Sequence, residues 1–180
     1  IYLDDMEIIP YSAGHIPGST MYKIKTDDKS ILFTGDLQTL ETNLIKGAEI
    51  PETDVLIIES TYAGKEHPSR EETEIRFIEK IEETLDRNGK VIIPAFAVAR
   101  TQELMMVMKK LDMEYWIDGM SNVVNEIFAR HGSFLKDSHE FKIARKYARK
   151  VRNNSDRKKA LEDGIVIASG GMLEGGPVLH

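Results

Sequence analysis

The spacing of hydrophobic and polar residues divides the chain into a β-rich first part and a later part in which strands alternate with helices. Apolar and polar residues alternate over Thr20–Thr26, and Ile31–Thr34 follows after the turn residues Asp27-Asp28-Lys29, which predicts a β-hairpin. The run Val55–Ile58 is aliphatic throughout, which is typical of a strand that is buried on both faces.

From Ser69 onward the hydrophobic period becomes that of a helix. Ser69 and Glu72 form a capping-box pattern, which predicts an amphipathic helix that runs to about Leu85. The remaining pattern predicts strands at Lys90–Phe96, Tyr115–Ile117 and Ile165–Ala168, helices at Thr101–Leu111, Ser121–Arg130 and about Asp156–Glu162, and a basic helical stretch at about Phe141–Arg152. Strand–helix–strand repetition predicts a parallel sheet with right-handed crossovers, so a domain boundary is expected near Tyr62–His67.

Composition narrows the class of protein. With 180 residues, 41% of them hydrophobic and 30% charged, the chain can build a packed core and is not a disordered acidic tail. The absence of cysteine excludes a disulfide framework, a thiolate zinc site and a cysteine nucleophile. The apolar runs are too short to span a bilayer, and no signal-peptide pattern opens the chain.

The net charge of −6 conceals a strongly basic segment. Residues 142–159 carry nine cations and one anion, so this segment has a net charge of +8 and the rest of the chain carries −14. A mildly acidic average therefore does not exclude an anionic partner, because local patches of charge steer ligands. The alternative interpretation is an ordinary solvated helix face.

Three polar residues follow three predicted strands. His15 lies between glycines in the loop Ser12–Ser19, Asp36 follows Thr34-Gly35, and Glu59 follows the aliphatic run Val55–Ile58. Neutral imidazole and carboxylate are ligands for metal ions, and sites in α/β proteins lie beyond strand ends. Each residue also has a plainer interpretation: a surface-loop histidine, an aspartate that caps a turn, and a glutamate that hydrogen-bonds the next turn.

Five segments in this order resemble the β-CASP family of metallo-β-lactamase-fold nucleases, which includes the endonuclease subunit of the cleavage and polyadenylation machinery, its archaeal relatives and the RNase J type. They are Ser12–Ser19, Phe33–Leu37, Ile57–Tyr62, Pro94–Leu104 and Ser169–Pro177. The resemblance implies an α/β fold in which residues 1–63 form the C-terminal portion of a metallo-β-lactamase αββα sandwich. Residues 64–180 would then form an incomplete β-CASP insertion domain with a parallel sheet flanked by helices.

The resemblance also implies a site. By position, His15 corresponds to a zinc ligand, Asp36 to the aspartate that bridges two Zn²⁺ ions, and Glu59 to an acidic residue that orients a histidine for proton transfer. The implied reaction is phosphodiester hydrolysis by a metal-bound hydroxide, in a zinc-dependent ribonuclease of RNA processing or decay.

One family motif is absent. The His-x-His-x-Asp-His signature does not occur among the five histidines and is expected before Ile1, while the later histidine motifs are expected after His180, which is not itself taken as a ligand. We therefore expect an internal fragment, and we predict that the 180 residues alone are inactive because two ligands are too few for tight zinc binding.

The expected substrate is single-stranded RNA. The candidates for RNA contacts are Arg100, Arg145, Arg149 and Arg152, although Arg100 could instead pair with Glu103. We further expect a cytoplasmic protein with no membrane contact that forms a homodimer or joins processing-complex subunits. The alternatives are a non-catalytic β-CASP scaffold, a small-molecule hydrolase of the metallo-β-lactamase fold and a doubly wound nucleotide-binding domain, the last disfavoured because no glycine-rich phosphate loop follows a strand.

Overall fold

The computed structural model describes residues 1–179 and divides them into two compact units. Unit 1 comprises Ile1–Glu66 together with Phe134–Lys136, and unit 2 comprises the remaining residues. The assignment of these units to two named domains stays a prediction. His180 lies outside the described residues. No helix among residues 1–179 is long and apolar enough to cross a membrane.

Unit 1 is built on a five-stranded sheet with its strands in sequential order. The strands are β1 (Tyr2–Leu3), β2 (Met6–Ser12), β3 (Thr20–Lys25), β4 (Ser30–Phe33) and β5 (Val55–Ile57). Neighbours are antiparallel except β4 and β5, which are parallel, so the predicted hairpin is confirmed. Because β2, β4 and β5 run in the same direction, their C-terminal ends lie at one edge of the sheet.

The prediction that Val55–Ile58 forms a strand buried on both faces was wrong. β5 is one of the two edge strands of the sheet, and Val55, Leu56 and Ile57 are each nearly half exposed. A short aliphatic run has the same appearance in the sequence whether its strand is central or at an edge, because hydrophobic periodicity reports side chains and not neighbours.

Unit 2 contains a four-stranded parallel sheet with helices packed against it. Its elements are α1 (Arg70–Asp86), β6 (Val91–Ala95), α2 (Arg100–Met108), β7 (Tyr115–Asp118), α3 (Ser121–Arg130), α4 (Ser138–Ala144), β8 (Ala148–Lys150), α5 (Asn154–Asp163) and β9 (Ile165–Ser169). The strand order is β6-β9-β7-β8, which confirms the predicted parallel sheet and α/β class. The helix predicted from Ser69 is confirmed, since the Ser69 side chain accepts a hydrogen bond from the Glu72 N–H.

The basic stretch is not one helix. α4 ends at Ala144, a 3-10 turn spans Arg145–Tyr147, and Ala148–Lys150 forms the edge strand β8. Strand β8 pairs with β7 on one side only, and charged side chains such as those of Arg149 and Lys150 are typical of strands at a sheet edge. The run of cations therefore conceals a strand that its composition does not indicate.

Candidate active site

Three strand ends of unit 1 bring the predicted site residues to one edge of the sheet. His15 follows β2, Asp36 follows β4 and Glu59 follows β5, and these three strands point the same way. The His15 Nε2 atom lies 3.9 Å from the Asp36 Oδ2 atom. Two side chains that are 21 positions apart in the sequence thus face each other across a gap wider than a hydrogen bond.

The loop that carries His15 is organised by a serine. The Ser19 hydroxyl accepts hydrogen bonds from the N–H groups of His15 and Ile16, each at 3.2 Å, and the Ser19 N–H donates to the Ile16 carbonyl at 2.9 Å. These bonds satisfy backbone groups inside the turn and leave the imidazole uninvolved in holding it. The His15 side chain remains 35% exposed.

The His15 loop contacts the segment that follows Asp36. The Gln38 N–H donates to the Ala13 carbonyl at 3.0 Å, which ties the two loops together. Gly14 has a φ of +66°, and a Cβ atom at this position would lie 2.3 Å from the Gln38 carbonyl oxygen and 2.5 Å from the Ala48 nitrogen. Only glycine permits this close approach of the backbone segments, so Gly14 is part of how the site is assembled.

Glu59 anchors the loop that carries Asp36. Its Oε1 atom accepts a hydrogen bond from the Leu37 N–H at 2.8 Å, and its Oε2 atom accepts one from the Thr61 N–H at 3.3 Å. Hydrogen bonds from the Thr61 side chain and the Leu37 N–H hold the pKa of the Glu59 carboxyl below its ordinary value. Glu59 thus does bond the next turn, and it also fixes the residue that follows Asp36.

The Asp36 carboxylate is available to bind a ligand. Its side chain is 76% exposed, and among residues 1–179 it accepts no hydrogen bond. Within the same range, no three His, Asp or Glu side chains converge into a group that could hold a metal ion. The arrangement is therefore a pair of metal-type donors, one imidazole and one carboxylate, with a second carboxylate that positions the loop of the first.

The cationic segment of unit 2 is largely occupied by ion pairs. Arg145 Nη2 lies 2.7 Å and Lys150 Nζ 2.6 Å from the same Glu126 Oε1 atom, and Arg152 Nε lies 3.0 Å from Asp156 Oδ2. Arg149 pairs with Glu114 and Asp163, and its guanidinium lies 5.7 Å from the centre of the Trp116 ring. Lys150 and Arg145 hold the pKa of the Glu126 carboxyl below its ordinary value.

The most enclosed ion pair of this segment joins α5 to the end of β7. Arg157 Nε lies 2.7 Å from Asp118 Oδ2, and Arg157 Nη2 lies 3.2 Å from Asp118 Oδ1. The Asp118 side chain is only 8% exposed, which makes this a structural pair.

Arg100 differs from the other predicted RNA contacts. The predicted partner Glu103 pairs with Arg70 Nη1 at 3.0 Å instead. The Arg100 side chain is exposed and makes no hydrogen bond or ion pair with any of residues 1–179. No observation tests the RNA contacts themselves, which stay predictions.

Sequence reasoning missed the parts of the site that act through the backbone. Ser19 could have been found, because a serine four residues after His15 in a glycine-rich loop is a common turn-forming residue. Gln38 is bonded to Ala13 and Ala48 through its backbone N–H and carbonyl groups, and no sequence signal marks such a contact.

The chain is similar in sequence to several known proteins. The chain is 39% identical over 191 residues to the probable RNase MJ4 of Methanocaldococcus jannaschii, an alignment that covers 99% of the chain and 45% of that protein. It is 38% identical over 186 residues to RNase aCSPSF2 of Saccharolobus solfataricus, covering 100% of the chain and 38% of the relative. It is 41% identical over 114 residues to cleavage and polyadenylation specificity factor subunit 3 of Dictyostelium discoideum, covering 62% of the chain and 14% of the relative.

The chain spans less than half the length of each of these relatives. No protein-family model matches it.

Proposed function

The chain belongs to the β-CASP family of metallo-β-lactamase-fold nucleases, and from this premise we propose that it carries part of the active site of a zinc-dependent ribonuclease in RNA processing or decay. The observation that carries the proposal is the meeting of His15 and Asp36 at one sheet edge, with Glu59 bound to the Asp36 loop. The proposed substrate is single-stranded RNA.

The donors present fit zinc. Imidazole nitrogen and carboxylate oxygen are both zinc ligands, and both side chains are accessible across a 3.9 Å gap. We propose that His15 binds one zinc ion and that Asp36 bridges two. Zinc, when bound, lowers the pKa of water and stabilises negative charge on a phosphate. Two ligands fall short of the three or more that zinc takes, so the 180 residues alone are expected to hold no stoichiometric zinc.

Glu59 has a positioning role in this proposal. Both carboxylate oxygens of Glu59 accept hydrogen bonds from backbone N–H groups. One of the donors is Leu37, the residue after Asp36. Such outer contacts hold a ligand-bearing loop in place before the metal arrives. The role implied by the family resemblance, orientation of a proton-transferring histidine, would use the same carboxylate and remains part of the proposal.

The test compares the natural full-length protein with its Asp36→Ala and Asp27→Ala variants. Asp27 is a matched control because it is an exposed aspartate in the turn between β3 and β4, at the opposite end of the sheet. Zinc content is measured by elemental analysis, and cleavage is measured on a labelled single-stranded RNA. We expect Asp36→Ala to lose bound zinc and to cleave at least about a thousandfold more slowly, whereas Asp27→Ala matches the parent.

Undiminished cleavage by Asp36→Ala would overturn the proposal, and unchanged zinc content would remove Asp36 from the ligands. RNA binding without zinc or cleavage in the parent would favour a non-catalytic scaffold. Stoichiometric zinc and cleavage in the isolated 180-residue chain would contradict the expectation that it lacks ligands. Homodimer formation and a cytoplasmic location stay predictions.

A further inference from the structure

The turn between β6 and α2 has an uncommon backbone. Ala99 has φ 61° and ψ −46°, and the Arg100 N–H donates to the Val98 carbonyl at 2.7 Å. This is a γ-turn with a positive φ at its centre, which is a rare and strained conformation for a residue other than glycine. Strain of this kind persists only where the surrounding structure enforces it, and it concentrates at functional sites.

Two fully buried polar side chains of α2 enforce the turn. The Thr101 hydroxyl donates to the Phe96 carbonyl at 2.9 Å, and the Gln102 Nε2 group donates to the Ala97 carbonyl at 3.1 Å. Gln102 also donates to the Asn125 Oδ1 atom of α3 at 2.8 Å. Both Thr101 and Gln102 are 0% exposed, so the backbone of this turn is anchored to the interior of unit 2.

The turn displays one aromatic ring and one cation. Phe96 is 56% exposed, and it is the only exposed aromatic side chain among the described residues of unit 2. Neither face of the Phe96 ring is covered by another aromatic ring or by a cation from residues 1–179. Arg100 is exposed within the same turn and has no acidic partner in that range, so its charge is available.

The loop after β9 runs beside Phe96 without covering the ring. A Cβ atom on Gly171 would lie 3.1 Å from the Phe96 nitrogen and 3.4 Å from its Cγ atom, so the glycine backbone passes the root of the side chain. A bulkier residue there would press against the ring, whereas glycine leaves its outer part accessible.

We propose that Phe96 and Arg100 form a nucleotide subsite for single-stranded RNA, in which a base stacks on the Phe96 ring and a phosphate pairs with the Arg100 guanidinium. Naming RNA as the ligand rests on the proposed function, but the subsite itself does not depend on zinc or on catalysis. An exposed ring and an unpaired guanidinium four residues apart on one turn match the base and phosphate of a nucleotide, and single strands are held by this combination. A peptide partner would use the apolar surface of Phe96 but would not require an aromatic face or an anion.

The experiment measures binding of a fluorescein-labelled oligouridylate of about twelve nucleotides by anisotropy in EDTA, so that neither metal nor cleavage enters. We expect Phe96→Ala to weaken binding roughly 5- to 150-fold, Phe96→Leu to weaken it similarly, and Phe96→Trp to retain it, because a stacking site needs a flat aromatic face. Phe134→Ala is the matched control, since Phe134 is 57% exposed and lies in unit 1.

The cation is tested by the salt dependence of binding. Arg100→Gln is expected to reduce the slope of log K against log salt by about 0.7, the value for one phosphate contact on a single strand. Arg76→Gln is the matched control, because Arg76 is exposed on α1 and has no acidic partner among residues 1–179. Thermal melting of each variant checks that the fold is retained.

Several outcomes would overturn the subsite. Wild-type affinity in Phe96→Ala would exclude a contact at the ring, and wild-type affinity in Phe96→Leu would point to an apolar protein contact instead of stacking. An equal loss in Phe134→Ala would show a nonspecific effect, and an unchanged salt slope in Arg100→Gln would remove the phosphate contact. If the oligouridylate binds as expected but the full-length protein fails to cleave RNA in the separate zinc and cleavage test, the proposed function fails and the subsite stands.

Discussion

The two units of the chain differ in whether their charged side chains have bonding partners within the fold. In unit 1, the Asp36 carboxylate is mostly exposed, accepts no hydrogen bond from the described residues and faces His15 across 3.9 Å. In unit 2, the arginines of residues 142–159 each have an acidic partner. The Asp36 carboxylate can therefore still accept a ligand, whereas the arginines of residues 142–159 are already bonded within the fold.

This difference separates charges that are available to a ligand from charges that hold the structure. A carboxylate without partners can bind a metal ion without first breaking a bond. A paired arginine contributes to RNA binding only to the extent that its acidic neighbour does not cancel its field. The lysines of the segment without an ion pair among residues 1–179 are Lys142, Lys146, Lys158 and Lys159.

The largest expected effect comes from Gly14, which permits the contact between the two loops of unit 1. Gly14→Ala is expected to destabilise the fold by about 3 kcal/mol, because the added methyl group meets backbone atoms and the φ of +66° is unfavourable for alanine. Denaturant unfolding measures the loss.

Gly18 in the same loop provides the control for this prediction. Its φ is +88°, but a Cβ atom there would meet nothing within 4 Å. Gly18→Ala should therefore cost only about 1 kcal/mol, the penalty for the backbone conformation. Equal losses in the two variants would show that the close approach of the loops does not matter.

The next effect tests whether the ion pairs of unit 2 support its structure. Asp118→Ala is expected to cost about 2 kcal/mol, because it removes both hydrogen bonds from Arg157 and leaves a partly buried guanidinium unpaired. Glu114→Ala is the control, since Glu114 pairs with Arg149 at an exposed position, and should cost about 0.5 kcal/mol or less. If Asp118→Ala leaves the free energy of unfolding unchanged, the ion pair between Asp118 and Arg157 does not stabilise the fold.

The sequence allowed the strand ends of unit 1 to be predicted, but not the acidic partners of unit 2. His15, Asp36 and Glu59 each follow an apolar strand, and the direction of neighbouring strands brings such ends together. The acidic partners lie far along the chain, with Glu126 19 residues from Arg145 and Asp118 39 residues from Arg157. Hydrophobic periodicity carries no information about which distant charges will meet.

The element boundaries show the same limit. The parallel sheet of unit 2 follows from alternating strand and helix patterns, and it was predicted. Strand β8 was not predicted, because its residues Ala148–Lys150 continue a run of cations that resembles a helix surface. The position of a strand at an edge, which tolerates such charge, is a property of the sheet and not of the segment.

A smaller effect tests the positioning role of Glu59 in unit 1. Glu59→Ala in the full-length protein is expected to weaken zinc binding about tenfold, because the Leu37 N–H loses its acceptor and the Asp36 loop is no longer held. Glu59→Gln keeps one carbonyl oxygen as an acceptor and should lose less. Zinc affinity is measured by competition with a chelator, and equal affinity in both variants and the parent would refute the role.

The smallest effect concerns Glu126, whose carboxylate pairs with Arg145 and Lys150. These hydrogen bonds lower its folded-state pKa beneath the ordinary 4.5, so its stabilising contribution is complete above that value and disappears as pH falls through the folded-state pKa. Glu126→Gln should therefore cost roughly 0.5 kcal/mol near neutral pH, since the pair is exposed, and nothing in strong acid.

Urea unfolding midpoints, measured from neutral pH to strong acid, test the effect of Glu126→Gln on stability. Glu79→Gln is the control, because Glu79 is exposed on α1 and has no ion pair among residues 1–179.

The Glu126→Gln variant also tests the contrast between the two units. Removal of the Glu126 charge leaves two cations without a partner, so RNA binding should strengthen slightly and become steeper in salt if they lie near the RNA. An unchanged salt slope would show that Arg145 and Lys150 do not contact the RNA.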